Sequence, residues 1–245
     1  MKKSEKSENR QPFVSVVTPT YNRRRFIPHL IQIYKSQTYS ADSMEWIILD
    51  DGQDKVGDLF AAVKDIPNLR YIPLEEKETI GTKRNILNKE ARGEIIVSMD
   101  DDDFYFPERV AHVVQKFKNS PSIQLAGSSQ VFMYYSDIQD IYKLGPYSPN
   151  HATNGTMAFR KSYALTHFYD ETVTHAEEKS FLEDYKNPMI QLDPMKVMLV
   201  MSHSDNTFDK TAMREDLKNP FIQKTSLKIK DFIKDADLRN FFTTA

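Results

Sequence analysis

The stretch Gly93 to Val110, GEIIVSMDDDDFYFPERV, runs an apolar segment straight into four successive aspartates, Asp100, Asp101, Asp102 and Asp103. Neighbouring carboxylates repel one another, and more strongly where burial lowers the dielectric. The cluster is therefore either a solvated acidic loop or a place where something positive sits. In an extended chain alternate residues share a face, so Asp100 and Asp102 would converge while Asp101 points elsewhere. Two convergent carboxylates suit a hard divalent cation, Mg²⁺ or Mn²⁺, that fills its other positions with water and phosphate oxygens. An EF-hand does not fit, because the stretch lacks the mid-loop glycine and the closing glutamate. Two other apolar runs also end in polar residues. One leads into Thr18, Pro19, Thr20, Tyr21 and Asn22, the other into Asp50, Asp51 and Gly52.

The elements that must position these groups follow from periodicity. Val14 to Val17 reads as a β-branched strand; Ile27, Leu30, Ile31 and Tyr34 then keep helical spacing, with Pro28 in the tolerant first turn. EWIILDDG is a second buried strand, and Val56, Leu59, Phe60 and Val63 form the next helical stripe. LRYIPL is a third strand, GTKRNILNKEARG a helix stopping at Gly93, and EIIVSM a fourth strand. Pro107 opens a helix with Val110, Val113, Val114 and Phe117 inward. Strand–helix alternation with continuously apolar strands predicts a doubly wound α/β half with a mostly parallel sheet. In such sheets ligands bind at the carboxyl ends of the strands, where three separate runs here deliver acidic or hydrogen-bonding groups. After about Ser120 the pattern turns mixed: IQLAG, QVFMYY, TMAFR and KVMLVM read as strands with irregular connections. The last stretch, from Leu217 to Phe242, reads as helical and packed on the body of the domain.

Composition narrows the function. A chain of 245 residues with 40% apolar and 28% charged residues can bury a full core. A formal net charge of -2 argues against a nucleic-acid binder. There is no cysteine, which removes disulfides and thiolate metal sites and fits a cytoplasmic location. No apolar run is long enough to span a membrane. Residues 1–11 are polar and read as a disordered tail. Neither G-x-G-x-x-G nor G-x-x-x-x-G-K-[ST] follows the first strand, and H-E-x-x-H is missing, so dinucleotide, P-loop and zincin chemistry are unsupported. Asn154-Gly155-Thr156 matches a glycosylation sequon by pattern alone.

Four blocks, VSVVTPTYNRRRFIPHLIQIYKSQTY, EWIILDDG, GTKRN and GEIIVSMDDDDFYFPERV, occur in an order that resembles the nucleotide-binding half of family 2 glycosyltransferases of the GT-A fold. The resemblance runs over about Phe13 to Phe117. It implies a Rossmann-like, mostly parallel sheet with an adjoining smaller mixed sheet and C-terminal helices. Residues 12–104 would form the nucleotide-sugar-binding half, 105–208 the acceptor and catalytic half, and 209–245 a helical segment. It further implies a nucleotide-sugar donor, Mn²⁺ or Mg²⁺, and inverting hexosyl transfer to a hydroxyl on a glycan, lipid or protein.

Carried over by position, Pro19 and Tyr21 would lie along the nucleoside, with Tyr21 stacking on the base. Asp51, or Asp50 instead, would accept a hydrogen bond from that base, which suits the imide N–H of a UDP-sugar; a guanine could satisfy it as well. Lys83 or Arg84 would face the phosphates and Asp101 the ribose. Asp100 and Asp102 would form a D-x-D pair on the metal, with His203, after VMLVM, as third ligand. Asn206, Ser202 and Ser204 are candidates for the diphosphate. NGTMAFRKSY resembles the sugar and acceptor pocket segment, with Gly155 permitting close approach. The family's acidic pair, whose second acid is the base, finds its nearest match in HAEEKSFLEDY: Glu178 first, then Glu177, then Asp184.

Two other readings compete. A sugar-phosphate nucleotidyltransferase would want a glycine-rich basic loop after the first strand, and TPTYNRRR has the basic residues without the glycine. A catalytically inactive GT-A-like nucleotide-binding module would need no base.

Overall fold

The computed structural model describes residues 10–173, 176–206, 210–215 and 218–244. The tail expected at the N-terminus falls mostly outside them, as does Leu217. The first sheet has the order β10-β6-β9-β4-β1-β2-β3. Its strands are β1 (Val14–Thr20), β2 (Met44–Asp50), β3 (Leu69–Pro73), β4 (Ile95–Ser98), β6 (Leu125–Gly127), β9 (Ala158–Arg160) and β10 (Met189–Gln191). β1 to β4 are mutually parallel, while β9 runs antiparallel to both β4 and β6. The chain steps outward from β1 through β2 to β3, then returns to place β4 on the other side of β1. That reversal is a topological switch point, and it opens a crevice at the carboxyl ends of β1 and β4.

A second sheet, β12-β8-β7-β11-β5, combines β5 (Phe104–Tyr105), β7 (Val131–Tyr135), β8 (Asp140–Leu144), β11 (Met198–Ser202) and β12 (Ile222–Lys224). Helices α1 (Ile27–Lys35), α2 (Gly57–Ala61), α3 (Ile80–Glu90) and α4 (Arg109–Asn119) cover the first sheet, followed by the short α5 (Lys161–Ala164) and α6 (Glu178–Phe181). Later come α7 (Thr211–Glu215), α8 (Ile229–Phe232) and α9 (Ala236–Thr244). β1, β2 and β4 are buried at every residue, as their unbroken apolar runs require. Trp46 in β2 stacks on Tyr34 of α1 with centroids 4.4 Å apart, fixing helix to sheet.

Three expectations need correction. α3 ends at Glu90, with Ala91 already extended, so Gly93 does not cap it. Gly93 matters because a Cβ there would stand 2.4 Å from the Ser15 backbone nitrogen. α4 begins at Arg109, two residues beyond Pro107. The C-terminal stretch is not wholly helical: β12 pairs with β8 before α8 and α9 form, because Ile222 to Lys224 can complete the edge of the second sheet.

Candidate active site

The carboxyl ends of β1, β2 and β4 meet as their lengths and register dictate. Asn22, just past β1, takes a left-handed φ of 54° and accepts hydrogen bonds from the backbone of Gln53 and Asp54. The turns after β1 and β2 are thereby locked together. Gly52 is required at this contact, since a Cβ would sit 2.6 Å from the Asn22 nitrogen.

The two acids after β2 divide their work. Asp50 is wholly buried and accepts from Gly52 N, Val56 N and the Tyr71 hydroxyl at 2.8, 2.9 and 2.6 Å. Its carboxylate is engaged in building the turn. Asp51 accepts from Lys83 Nζ at 2.8 Å and from Glu78 N at 2.9 Å. Tyr21 lies beside this pair, its ring 4.4 Å from Lys77 Nζ and 5.8 Å from Lys83 Nζ. Pro19 is buried within β1 opposite Leu49.

The four aspartates do not alternate as an extended strand would. β4 stops at Ser98 and residues 101–103 form a bend, so side-chain directions follow the turn. Asp100 accepts from Arg84 Nη1 at 3.1 Å, and its backbone N–H donates to the Tyr105 hydroxyl at 2.7 Å. Asp102 faces the other way, with Arg23, His203 and Asn206 at 3.6, 3.5 and 3.2 Å from Oδ2. Asp101 lies 3.8 Å from Arg23, and Asp103 is buried, accepting from Met201 N at 2.7 Å. The expected D-x-D pair of Asp100 and Asp102 therefore does not converge, and among the described residues no three His, Asp or Glu side chains gather into a metal cage.

Environment separates these acids further. Burial, then the charge of Asp102, pushes the Asp101 carboxyl up. Asp102 is driven the opposite way: burial opposes its ionisation, but the His203 hydrogen bond and the Lys210 and Arg23 charges outweigh it and hold it low. A low-lying carboxylate beside an imidazole suits a divalent cation that keeps its remaining positions for water and phosphate. Asp102 and His203 fit such an ion as a two-ligand set; Asp100 does not join them.

Arg84 joins the rim to the second half of the chain. It is buried, and its Nε donates to Glu177 at 2.8 Å while Nη1 reaches Asp100. Burial lowers its pKa, but the charges of Asp100 and Glu177 more than offset this. Asn154 adds to the group: with its amide oxygen turned to Arg84 it accepts from Nη1 at 2.6 Å, its nitrogen donating to the Tyr169 hydroxyl. Asn154 is buried, so the sequon is a feature of this network and not a surface acceptor. Gly155 brings the turn against Asp100, since a Cβ would lie 3.1 Å from both Asp100 Oδ2 and the Tyr105 hydroxyl oxygen. From behind, the buried Arg109 holds that turn by donating to the carbonyls of Thr156 and Met157, each at 2.8 Å.

Glu177 and Glu178 are set by α6, a single turn with little stability of its own. Phe181 anchors it, stacked on Tyr169 with centroids 4.3 Å apart. Glu178 is half-buried; burial, then the Glu177 charge, pushes its carboxyl up to about 6. Asp184 is exposed, 3.5 Å from Lys179 and 3.7 Å from Lys186, and lies on the surface away from Arg84's network.

Sequence reasoning missed Arg23, Arg109, Tyr105 and Tyr169. Only the run Arg23-Arg24-Arg25 gave any signal, and its three side chains go three ways. Arg23 faces Asp101 and Asp102, Arg24 pairs with Asp54 and Asp58, and Arg25 with Asp205.

A parallel sheet with a switch point, acids at its carboxyl edge and a smaller mixed sheet beside it define a GT-A fold. Solved structures agree. TarS 1-349 from S. aureus, in complex with UDP-GlcNAc, superposes with a TM-score of 0.60 at 18% identity, covering 79% of this chain and 59% of that one. Mannosyltransferase PcManGT from Pyrobaculum calidifontis, in complex with GDP-Man and Mn²⁺, gives 0.62 at 16%, covering 81% and 59%. The profile of glycosyl transferase family 2 matches residues 15–169, and the chain belongs to that family. The uncharacterized glycosyltransferase YwdF of Bacillus subtilis is 28% identical over 152 residues, 56% of this chain and 56% of YwdF. The chain spans 36% of a similar uncharacterized glycosyltransferase of Haemophilus influenzae. No described helix is long and apolar enough to cross a membrane.

Proposed function

We propose that the protein transfers a hexosyl unit from a nucleoside-diphosphate sugar, with UDP favoured, to a hydroxyl acceptor with inversion. One observation carries the reading. Arg84 of α3 ties Asp100, just past β4, to Glu177 at the start of α6, while its neighbour Lys83 holds Asp51 just past β2. The family membership and the nucleotide-sugar complexes of TarS and PcManGT support the donor class.

In this reading Tyr21 stacks on the base and Asp51 accepts its imide N–H, exchanging the Lys83 ammonium for it. Lys83 is then released toward the diphosphate, and Asp101 takes the ribose. Asp102 and His203 would hold Mn²⁺ or Mg²⁺, which would supply positive charge beside the diphosphate. Arg23 and Arg84 add positive charge to the same rim. Glu178 removes the acceptor proton as the hydroxyl attacks the anomeric carbon; its raised pKa suits a base working near neutral pH. A single base with no covalent nucleophile inverts the configuration.

A thermal-shift panel of UDP-, GDP- and dTDP-sugars with and without Mn²⁺ tests the donor site. Binding raises stability by mass action, so a metal-dependent shift with a UDP-sugar is expected. A flat response to every nucleotide with metal present would remove the reading.

A further inference from the structure

Beyond the crevice, four aromatic rings form a continuous row that the reading above does not use. Phe221 lies 5.1 Å from Tyr147, Tyr147 lies 4.7 Å from His151, and His151 stacks on Tyr185 at 4.9 Å. Phe221 and Tyr147 are 41% and 36% exposed, although large aromatics normally lose most of their surface. Their exposure is not the looseness of a loop. Gly145 N donates to the Phe221 carbonyl at 2.8 Å and Tyr147 N to the Ser129 carbonyl at 3.1 Å. Gln191 Nε2 then pins the carbonyls of Pro149 and His151 at 2.7 and 3.2 Å.

The inner end of the row follows the acid pair in the chain. Tyr185 lies four residues beyond α6, and burial and then the charges of Glu178, Asp184 and Glu177 push its phenol up. Glu183, Asp184 and Tyr185 all take left-handed φ values of 48°, 56° and 60°, and this turn sets the Tyr185 ring over His151. The row carries two phenol hydroxyls, while the His151 Nδ1 is buried beneath it without a hydrogen-bond partner.

We propose that Phe221, Tyr147, His151 and Tyr185 form the acceptor platform, and that the acceptor is a saccharide chain laid along it with its terminal hydroxyl at Glu178. This rests on Glu178 being the base. A sugar ring presents an apolar C–H face and a rim of hydroxyls, which matches aromatic faces interspersed with phenol hydroxyls. An acyl chain would leave those polar groups unanswered. The platform also explains why Phe221 and Tyr147 stay exposed while their backbones are held by hydrogen bonds.

The test uses the full chain on an array of neutral oligosaccharides, with the single substitutions Phe221→Leu and Tyr147→Leu, which keep apolar bulk and remove the ring. The expected result is binding of at least one oligosaccharide of three or more rings, weakened about tenfold by either substitution. The thermal shift with UDP and Mn²⁺ should not change in either variant. Three results would overturn the platform: no saccharide bound while the nucleotide shift is normal, binding unaffected by both substitutions, or concentration-dependent self-association that both substitutions abolish. Ring-dependent saccharide binding with no nucleotide shift would keep the platform and sink the donor reading instead.

Discussion

The rim of β1, β2 and β4 and the segment around α6 both deliver carboxylates to one crevice, by opposite means. At the rim the backbone does the placing: β1 and β2 end in register at Thr20 and Asp50, β4 ends opposite Val17, and the acids follow within two residues of the ends of β2 and β4. Around α6 there is no sheet to set position. A four-residue helix is held by Phe181 stacked on Tyr169, and left-handed residues stand on either side of it, Ala176 before and Glu183 to Tyr185 after. Non-glycine residues in that region cost on the order of 1–2 kcal/mol each. Neighbouring packing must offset that strain, so the acids of α6 depend on side-chain contacts where those of the rim depend on strand geometry.

Substitution can break this contrast at its strongest point. Glu178→Gln should lower the rate of sugar transfer by about 100- to 10,000-fold while leaving UDP binding intact, read by transfer assay and thermal shift. Unchanged transfer would take Glu178 out of the role of base.

Arg84→Met removes the link between the two regions and leaves Asp100 and Glu177 without their shared partner. Breaking a buried ion pair from one side should cost about 3–5 kcal/mol, measured by urea denaturation. Asp50→Asn should cost about 1–3 kcal/mol, because an amide nitrogen would face the donors that Asp50 now accepts from. UDP affinity should survive that change, which distinguishes Asp50 from Asp51.

Acid pH sharpens the comparison more gently. Burial favours the neutral form of Glu178 and raises its carboxyl to about 6, so the basic form is lost as pH falls through that value. A pH–rate profile should fall about tenfold between pH 7 and pH 5, as one ionisation near 6 requires. Glu178→Gln should abolish that limb. The smallest effect belongs to Asp184→Asn, where exposed ion pairs with Lys179 and Lys186 are lost. Stability should change by no more than about 0.5 kcal/mol and transfer not at all.

The amino-acid order alone determined that β1, β2 and β4 are buried parallel strands, because unbroken apolar runs alternating with helical stripes have few other solutions. It also determined that polar residues gather at the carboxyl edge, since they follow directly in sequence on those runs. The tertiary structure decided how the acids are used. Asp50 and Asp51 are adjacent and alike in sequence, yet one is spent on its own turn and the other faces Lys83. Asp100 and Asp102 follow a bend and not a strand, so they part toward Arg84 and His203. Partners 16 and 101 residues away in the chain set those directions, and a local pattern carries no information about contacts made at that range.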